Sequence, residues 1–210
     1  MSRKDFPFGP RCVIMATSKQ IMATSKKNEG GEASARGEAM RLFIAILLEN
    51  NVKEALTAMQ TQLRARRVGG NYTKIENLHL TLAFIGEYGD PERVLDVMRS
   101  VRFAPIPIAL EGFGCFGDLY WCGLARQDAL EAYVRRLRRA LAEADIPFDR
   151  KRFTPHITLL RKASVDAIPG ITVPGAAMTA ERVSLMRSER GKGGMLYTEL
   201  SAADAQGTSP

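Results

Sequence analysis

Along residues 41–200, short apolar runs typical of strands alternate with segments in which apolar residues recur at helical spacing. This pattern predicts a chain built from both strands and helices. Short apolar runs predict strands at about 41–48, 78–85, 105–112, 118–125 and 153–160, with the glycine-rich segment "GFGCFGD" as a connection. Apolar residues at helical spacing predict one helix over about 49–66 and another around residues 130–141. The apolar stripes of these helices are Val52, Leu56, Met59 and Leu63, and Leu130, Val134, Leu137 and Leu141.

Cap and turn residues complete the pattern. In "GDPERVLDVMRSV", Asp90 is the expected N-cap of a third helix and Pro91 occupies its first position. The segments "AERVSLMRS" and "MLYTEL" flank "GKGG", which is typical of a β-hairpin. Because each half of the chain holds helices and antiparallel strand partners, we expect an α+β fold of two lobes that face each other.

Residues 1–39 differ from the rest of the chain. They carry a direct repeat, IMATSK at 14–19 and again at 21–26, followed by the small, polar segment "KNEGGEASARGEA". Such a composition buries little apolar area, so we predict a disordered extension over residues 1–39 and one folded domain over residues 40–210. Met40 opens directly into a strand pattern, and we expect the functional chain to begin there.

Composition and charge narrow the function classes. With 45% hydrophobic and 25% charged residues, the chain can bury an ordinary globular core. The formal net charge of +7 favours RNA or another anionic substrate as a partner. The longest apolar run, Leu42 to Leu48, is too short to span a bilayer, and the cysteines form no C-x-x-C pair. We therefore expect no membrane association and a reducing, cytoplasmic setting.

The two histidines of the chain occupy the same short motif. His79 lies in "NLHLTLAFIGE" and His156 in "FTPHITLLR", and each is followed two residues later by a threonine, Thr81 or Thr158. Residues i and i+2 share one face of a strand, so each motif presents an imidazole and a hydroxyl to the same side. A single histidine on a strand is usually structural. The occurrence of both histidines in the same tetrapeptide pattern, His-x-Thr-Leu, predicts a functional role.

Two facing histidines can act as a general acid and a general base, because their ordinary pKa lies near neutrality. Threonine hydroxyls beside them can donate to phosphoryl oxygens. A zinc site is the main alternative, yet a catalytic zinc usually takes three protein ligands, and neither histidine has a thiolate or carboxylate at metal-ligand spacing. A serine nucleophile would need a G-x-S-x-G elbow, which the sequence lacks. We predict an acid–base pair and no metal.

The two motifs and their flanks resemble the two-histidine (2H) phosphoesterase superfamily, and within it the bacterial and archaeal RNA 2′,3′-cyclic phosphodiesterases, historically called 2′-5′ RNA ligases. The resemblance covers residues 40 to about 200 and extends to "MRLFIAI", "GFGCFGDLYWCGL" and "VSLMRSERGKGGMLYTEL". It implies a bilobal fold in which two antiparallel sheets face each other across a central cleft, with helices outside. It also implies hydrolysis of RNA 2′,3′-cyclic phosphate ends to 2′-phosphates, without metal or other cofactor.

By motif position, the resemblance makes His79 the proton donor and His156 the proton acceptor. It assigns Thr81, Thr158 and Arg161 to the phosphoryl oxygens, and the forked guanidinium of Arg161 suits that task. The residues themselves do not distinguish the two histidines. Reversible 2′-5′ RNA ligation and a non-catalytic RNA-binding module stay open as alternative functions. A small cyclic nucleotide is a further candidate substrate, and we expect a monomer.

For the basic and aromatic residues outside the motifs, the sequence predicts only where the side chains lie. The arginines of "RRLRR" at 135–139 are expected mostly on the solvent side of their helix. The segment "DRKRF" at 149–153 precedes the second motif and is a candidate contact for an RNA backbone. Strand alternation predicts that Phe84 and Phe153 point away from the histidines, and Trp121 is expected in the core.

Overall fold

The computed structural model describes residues 38–164 and 170–206. Within these residues, two antiparallel sheets form the centre of the fold, and three α-helices pack against them. The predicted disordered extension, residues 1–39, lies outside the described residues except for Glu38 and Ala39. Of the helices in the described part of the chain, none combines the length and apolar character that a membrane span requires.

Every predicted strand and helix is present, with small shifts at the ends. The strands are β1 (Met40–Leu47), β2 (Asn71–Tyr72), β3 (His79–Tyr88), β4 (Ile106–Phe116), β5 (Leu119–Leu124), β6 (His156–Arg161), β7 (Ala177–Ala180), β8 (Arg182–Gly191) and β9 (Gly194–Asp204). The helices are α1 (Asn50–Ala65), α2 (Pro91–Ser100) and α3 (Asp128–Glu143), with a 3-10 turn at Ile75–Asn77. The short strands β2 and β7 lack a sequence pattern of their own. The prediction that "GFGCFGD" only connects two strands is wrong, because most of this segment extends β4 and pairs with β5.

The two sheets confirm the predicted α+β class with two facing lobes. One sheet has the strand order β3-β1-β8-β9, and the other has the order β2-β6-β5-β4-β7. The lobes do not coincide with the halves of the chain, since the β8–β9 hairpin returns to the sheet that holds β1 and β3. The four-stranded sheet therefore carries the first H-x-T motif at its edge, and the five-stranded sheet carries the second.

Helix caps and apolar stripes follow the sequence pattern. The backbone N–H of Arg93 donates to Oδ1 of Asp90 at 3.0 Å, and α2 begins at Pro91. The apolar stripes predicted for α1 and α3 are fully buried in one continuous core. Burial of one face of each helix against the sheets is the main stabilising contribution, because short helices are marginal on their own.

A β-bulge interrupts β3 directly after Thr81. Two adjacent residues of β1 pair with Thr81 and Ala83, so Leu82 is the extra residue. Leu82 and Ala83 are both buried, and Phe84 returns to the face of His79, where it joins a small apolar cluster. The prediction that Phe84 points away from His79 is therefore wrong, because the inserted residue reverses the alternation at Phe84. A second register shift, opposite Leu42 and Phe43 of β1, follows it.

The strand β6 contains the corresponding bulge after Thr158. Two adjacent residues of β5 pair with Thr158 and Leu160, so Leu159 is the extra residue. Leu159 and Leu160 are both buried, and the exposed Arg161 returns to the face that carries His156. In each motif, the third residue after the threonine thus shares the face of the histidine.

A polar side chain from a helix binds the carbonyl of each bulged residue. Arg138 of α3 donates from Nε and Nη2 to the carbonyl oxygen of Leu82, at 3.1 and 3.0 Å. Gln60 of α1 is buried and donates from Nε2 to the carbonyl oxygen of Leu159 at 2.9 Å. Because a bulge disrupts the strand ladder and buried carbonyls need donors, these contacts stabilise the bulged geometry.

Arg138 does not lie on the solvent side, where most of the "RRLRR" segment is predicted. It is half-buried, donates from Nη1 to the carbonyl oxygen of Lys151 at 2.7 Å, and lies 5.4 Å from the ring centre of Phe153. Burial lowers the pKa of the Arg138 guanidinium below its ordinary value. Arg135 and Arg139 are exposed, in agreement with the prediction.

We expect Arg138→Ala to lower the free energy of unfolding by about 2–3 kcal/mol, because it removes charged donors from two carbonyls, one of them at a buried bulge. Denaturant unfolding followed by circular dichroism measures the change. Arg135→Ala removes the same charge from an exposed position of the same helix and should stay within about 0.5 kcal/mol of the parent. Equal effects of the two substitutions would contradict the role assigned to Arg138.

Candidate active site

The histidines of the two motifs lie close enough to influence each other. β3 and β6 are in contact although they belong to different sheets. Burial is the main cause that lowers the pKa of both histidines; the charge of Arg161 adds to the lowering at both, and the charge of His156 adds to it at His79. The two imidazoles and the guanidinium therefore share one electrostatic site.

Each imidazole is held by the carbonyl two residues before it. Nδ1 of His79 lies 2.8 Å from the carbonyl oxygen of Asn77, and Nδ1 of His156 lies 2.7 Å from that of Thr154. A carbonyl oxygen only accepts, so Nδ1 carries a proton in both rings and donates it. Nε2 is consequently the atom at which each histidine can gain or release a proton.

The two threonines differ in their contacts. Nε2 of His79 lies 3.0 Å from Oγ1 of Thr81, within hydrogen-bond distance. Thr158 pairs across the sheet with Trp121 and lies on the same face as His156. Within the described residues, no corresponding hydrogen bond joins His156 to Thr158. The first motif thus holds its imidazole at both nitrogens, and the second leaves Nε2 open.

Aromatic rings hold His79 against the four-stranded sheet. The ring centre of Phe43 lies 4.9 Å from that of His79, and the edge-on ring of Tyr197 lies at 5.2 Å. The side-chain amide of Asn77 donates to the carbonyl oxygen of Met195 at 2.8 Å and joins this corner to β9. The sequence did not identify Phe43, Tyr197 or Asn77, because their contacts join β1, β3 and β9, which are far apart in the chain.

Aromatic rings also flank His156 on the five-stranded sheet. Phe116 meets the imidazole edge-on at 5.2 Å between ring centres, and Trp121 lies at 6.2 Å. Trp121 is half-buried and borders the site, so its predicted place in the core is wrong. Its ring lies flat over Gly114, where a Cβ would be 2.9 Å from Cε2 of the indole and closer still to Cζ2. Gly114 is therefore the position in the glycine-rich segment that leaves room for this indole.

Burial lowers the pKa of both histidines below the ordinary 6.5. The hydrogen bonds from Nδ1 to the carbonyls act in the opposite direction, because they favour the charged imidazolium, and the positive charge of Arg161 adds to the lowering. Without a bound anion the site therefore favours two neutral imidazoles.

A groove of about 520 Å³ lies next to Asn77 and Tyr197, two residues that contact His79. It is lined by residues of β2 and its following turn, the end of β6 and the β8–β9 hairpin, and it includes Arg161, Asn77 and Tyr197. The predicted substrate-binding residue Arg161 is thus part of both the histidine site and this groove. Among residues 38–164 and 170–206, no three His, Cys, Asp or Glu side chains converge as a set of metal ligands.

The architecture of two antiparallel sheets with helices packed against them matches that of the E. coli LigT structure. The chain belongs to the 2′-5′ RNA ligase superfamily, whose sequence profile matches residues 46–192. This membership confirms the resemblance identified from the two motifs.

Similar proteins with assigned names agree with this membership. The chain is 33% identical over 183 residues to an RNA 2′,3′-cyclic phosphodiesterase of Thermus thermophilus, a match that covers 80% of this chain and 91% of the relative. It is 30% identical over 183 residues to the Thermotoga maritima protein of the same name, covering 80% and 97%. The crystal structure of E. coli LigT in apo form superposes with a TM-score of 0.68 at 27% identity, covering 81% of this chain and all of LigT. LigT complexed with 3′-AMP gives a TM-score of 0.67 at the same identity and coverage.

We expect Gly114→Ala to displace Trp121, because the added Cβ collides with the indole ring. Overpacking of this kind costs about 1–3 kcal/mol of stability. Trp121 is the single tryptophan of the chain, so its fluorescence reports the displacement directly, and we expect a shift to longer wavelength. Gly175→Ala is the matched control, since a Cβ there meets no atom within 4 Å. An unchanged spectrum in Gly114→Ala would contradict this packing.

We expect the free energy of unfolding to fall as the pH decreases below about 6.5, where the unfolded chain binds protons at His79 and His156 that the folded chain does not. The sign follows from the lowered pKa values, since the folded state then holds fewer protons than the unfolded state. Denaturant unfolding at several pH values measures this, and the double variant His79→Gln, His156→Gln should lose that part of the slope. Parallel profiles for parent and variant would show that the histidines are not responsible.

Proposed function

We propose that this protein hydrolyses 2′,3′-cyclic phosphates at RNA ends to 2′-phosphates, and that His79 and His156 catalyse the reaction without a metal ion. The observation that carries the proposal is the pair of Nδ1–carbonyl hydrogen bonds, which make Nε2 the proton-transfer atom of both imidazoles; within the described residues, Nε2 of His156 is open, and Nε2 of His79 contacts only the hydroxyl of Thr81. The RNA 2′,3′-cyclic phosphodiesterase names of relatives that match about 80% of this chain support it.

The proposed reaction needs one proton acceptor and one proton donor. Water attacks the phosphorus and its proton passes to Nε2 of His156, while the bond between phosphorus and O3′ breaks. Nε2 of His79 protonates O3′, so the product carries a 2′-phosphate and a free 3′-hydroxyl. Exchange with solvent then returns both imidazoles to their starting states. The donor and acceptor roles rest on motif position in the family, because both Nδ1 atoms have the same kind of partner.

The remaining predicted site residues bind the phosphoryl oxygens in this proposal. Thr81 and Thr158 share the faces of the histidines, and their hydroxyls can donate to the non-bridging oxygens. Arg161 is brought to that face by the bulge in β6 and offers a charged fork to the same oxygens. A bound phosphate also raises the pKa of both histidines, which favours the protonated donor.

The same site is also suited to 2′-5′ RNA ligation. If the 5′-hydroxyl of another RNA replaces water, the identical step forms a 2′-5′ linkage, the bond after which the 2′-5′ RNA ligase superfamily is named. LigT, which is 27% identical, has been crystallised with 3′-AMP, so a nucleotide-sized ligand is a reasonable substrate as well. We further propose that the protein acts as a monomer in a reducing, cytoplasmic setting, in keeping with the buried Cys115 and Cys122.

We expect His79→Ala and His156→Ala each to lower kcat/KM by about 10²–10⁴-fold on a short RNA that ends in a 2′,3′-cyclic phosphate, because each removes one proton-transfer group. Thr81→Val and Thr158→Val should reduce the rate by up to about 10²–10³-fold. Mass analysis identifies the product, and a 5′-hydroxyl RNA in a parallel reaction reveals ligation. Thr179→Val, on the exposed face of β7, is the control and should keep full activity.

Metal independence is tested in the same assay with EDTA, which should leave the rate unchanged. Loss of turnover in EDTA with recovery on adding zinc would overturn the metal-free mechanism. Full activity in His156→Ala would overturn the acid–base pair. Tight RNA binding without turnover would instead favour the non-catalytic binding module.

A further inference from the structure

The groove beside the histidines is strongly cationic. Four of its lining residues carry positive charge, and among the described residues that line it none is acidic. We call this surface the cationic groove, defined by Lys74, Arg161, Lys162 and Arg190. A second hollow of about 690 Å³ shares Arg190 with this groove, and its lining holds three glutamates beside three arginines. The charge of the cationic groove is therefore not a general property of this basic protein.

The four cations have no ion-pair partner within residues 38–164 and 170–206. Other arginines of β8 do pair, since Arg187 lies 2.6 Å from Glu189 and Arg182 lies 3.7 Å from Glu199. Clustered like charges repel one another and oppose folding unless an anion binds among them. The arrangement therefore indicates a ligand with negative charge.

The cationic groove is continuous with the histidine site. Tyr197 lines it and also contacts the imidazole of His79, and Asn77 lines it while its carbonyl accepts from Nδ1 of the same ring. Arg161 belongs to the groove and acts on the pKa of both histidines. An anion held by the other three cations would lie in a groove that shares Arg161 with the histidine site.

Separate parts of the chain build the outer end of the groove. Lys74 follows β2, and its ammonium lies 3.7 Å from the position that a Cβ at Gly193 would occupy, so it reaches the tip of the β8–β9 hairpin. Arg190 comes from the end of β8, and Lys162 follows β6 in a left-handed backbone conformation with φ of 54°. Three segments that are distant in sequence thus place cations around one space.

We propose that the cationic groove is a binding site for a second phosphate, the one attached to the 5′ side of the terminal ribose. The proposal rests on the proposed function, which places the cyclic phosphate at the histidines. A nucleoside 2′,3′-cyclic phosphate with a 5′-hydroxyl offers only the reacting phosphorus. An RNA end also offers the preceding phosphodiester, so the groove makes an RNA end a better substrate than the bare mononucleotide.

Four substrates isolate the charge of this second phosphate. The first is a nucleoside 2′,3′-cyclic phosphate with a 5′-hydroxyl, and the second adds a 5′-phosphate to it. The third is a dinucleotide that ends in a 2′,3′-cyclic phosphate. The fourth is the same dinucleotide with an uncharged methylphosphonate in place of the internal phosphodiester. The measured quantity is kcat/KM of the full-length protein for each substrate.

We expect the third substrate to exceed both the first and the fourth by about tenfold or more, because a charge-assisted contact is worth at least that factor. If kcat/KM of the second substrate equals that of the third, a terminal 5′-phosphate is sufficient for binding at this site. If kcat/KM of the second substrate is lower, the site requires a phosphodiester within an RNA chain. Either result supports the second-phosphate site. Salt should weaken turnover of the third substrate more steeply than that of the first. Equal kcat/KM for the first, third and fourth substrates would overturn the proposal without any variant.

The double variant Lys74→Ala, Arg190→Ala should remove most of the advantage of the third substrate and leave the first unchanged. Arg135→Ala, which removes an exposed charge on α3, should alter neither. An equal decrease on the first and third substrates would show that the two cations do not bind a second phosphate. Failure of the proposed function would look different, since the parent protein would then turn over none of the four substrates.

Discussion

The positions of Phe84 and Arg161 at the candidate site depend on two hydrogen-bonded bulges. Arg138 and Gln60 reach from helices to the carbonyl oxygens of Leu82 and Leu159, the extra residues of β3 and β6. Each bulge shifts the alternation of side chains by one residue, so the third residue after the motif threonine faces the site. Without the bulge in β6, strand alternation would turn Arg161 toward the apolar core, where an unpaired charge is costly. The helices therefore orient the site as well as cover the sheets.

The two motifs share the bulge but differ in the residue that it brings to the histidine face. In the first, the bulge brings Phe84 to the histidine face, where it packs with an apolar cluster that includes Phe43. In the second, it brings Arg161, which the solvent reaches. One half of the site is accordingly apolar and encloses His79, and the other half is open and cationic around His156. An anionic ligand between the two halves would accept hydrogen bonds from both sheets. Most of the positive charge around it would come from the five-stranded sheet, which carries Arg161.

Electrostatics and packing act together on the histidines. Burial and Arg161 favour the neutral imidazoles, whereas the carbonyl acceptors of Nδ1 favour the charged forms. A bound phosphate changes this balance, because its negative charge favours protonation of the nearby rings. In the proposed reaction, proton donation is consequently coupled to the presence of the substrate. The aromatic rings around each imidazole maintain its orientation through this change of charge.

The sequence by itself determined the elements and the chemistry of the motifs. Apolar periodicity and the Asp90–Pro91 cap predicted the three α-helices, and the repeated H-x-T pattern identified the paired histidines, because both signals come from residues close together in the chain. The positions of Phe84, Trp121 and Arg138 could not be predicted in this way. Each depends on strand pairing or packing in three dimensions: a bulge set by pairing of β3 with β1, the register of the β4–β5 hairpin that places Trp121 over Gly114, and a carbonyl of β3 that Arg138 contacts. Tertiary structure alone decided that the lobes mix the two halves of the chain and that Lys74, Lys162 and Arg190 surround one groove, because local patterns carry no information about which strand edges and loops will meet.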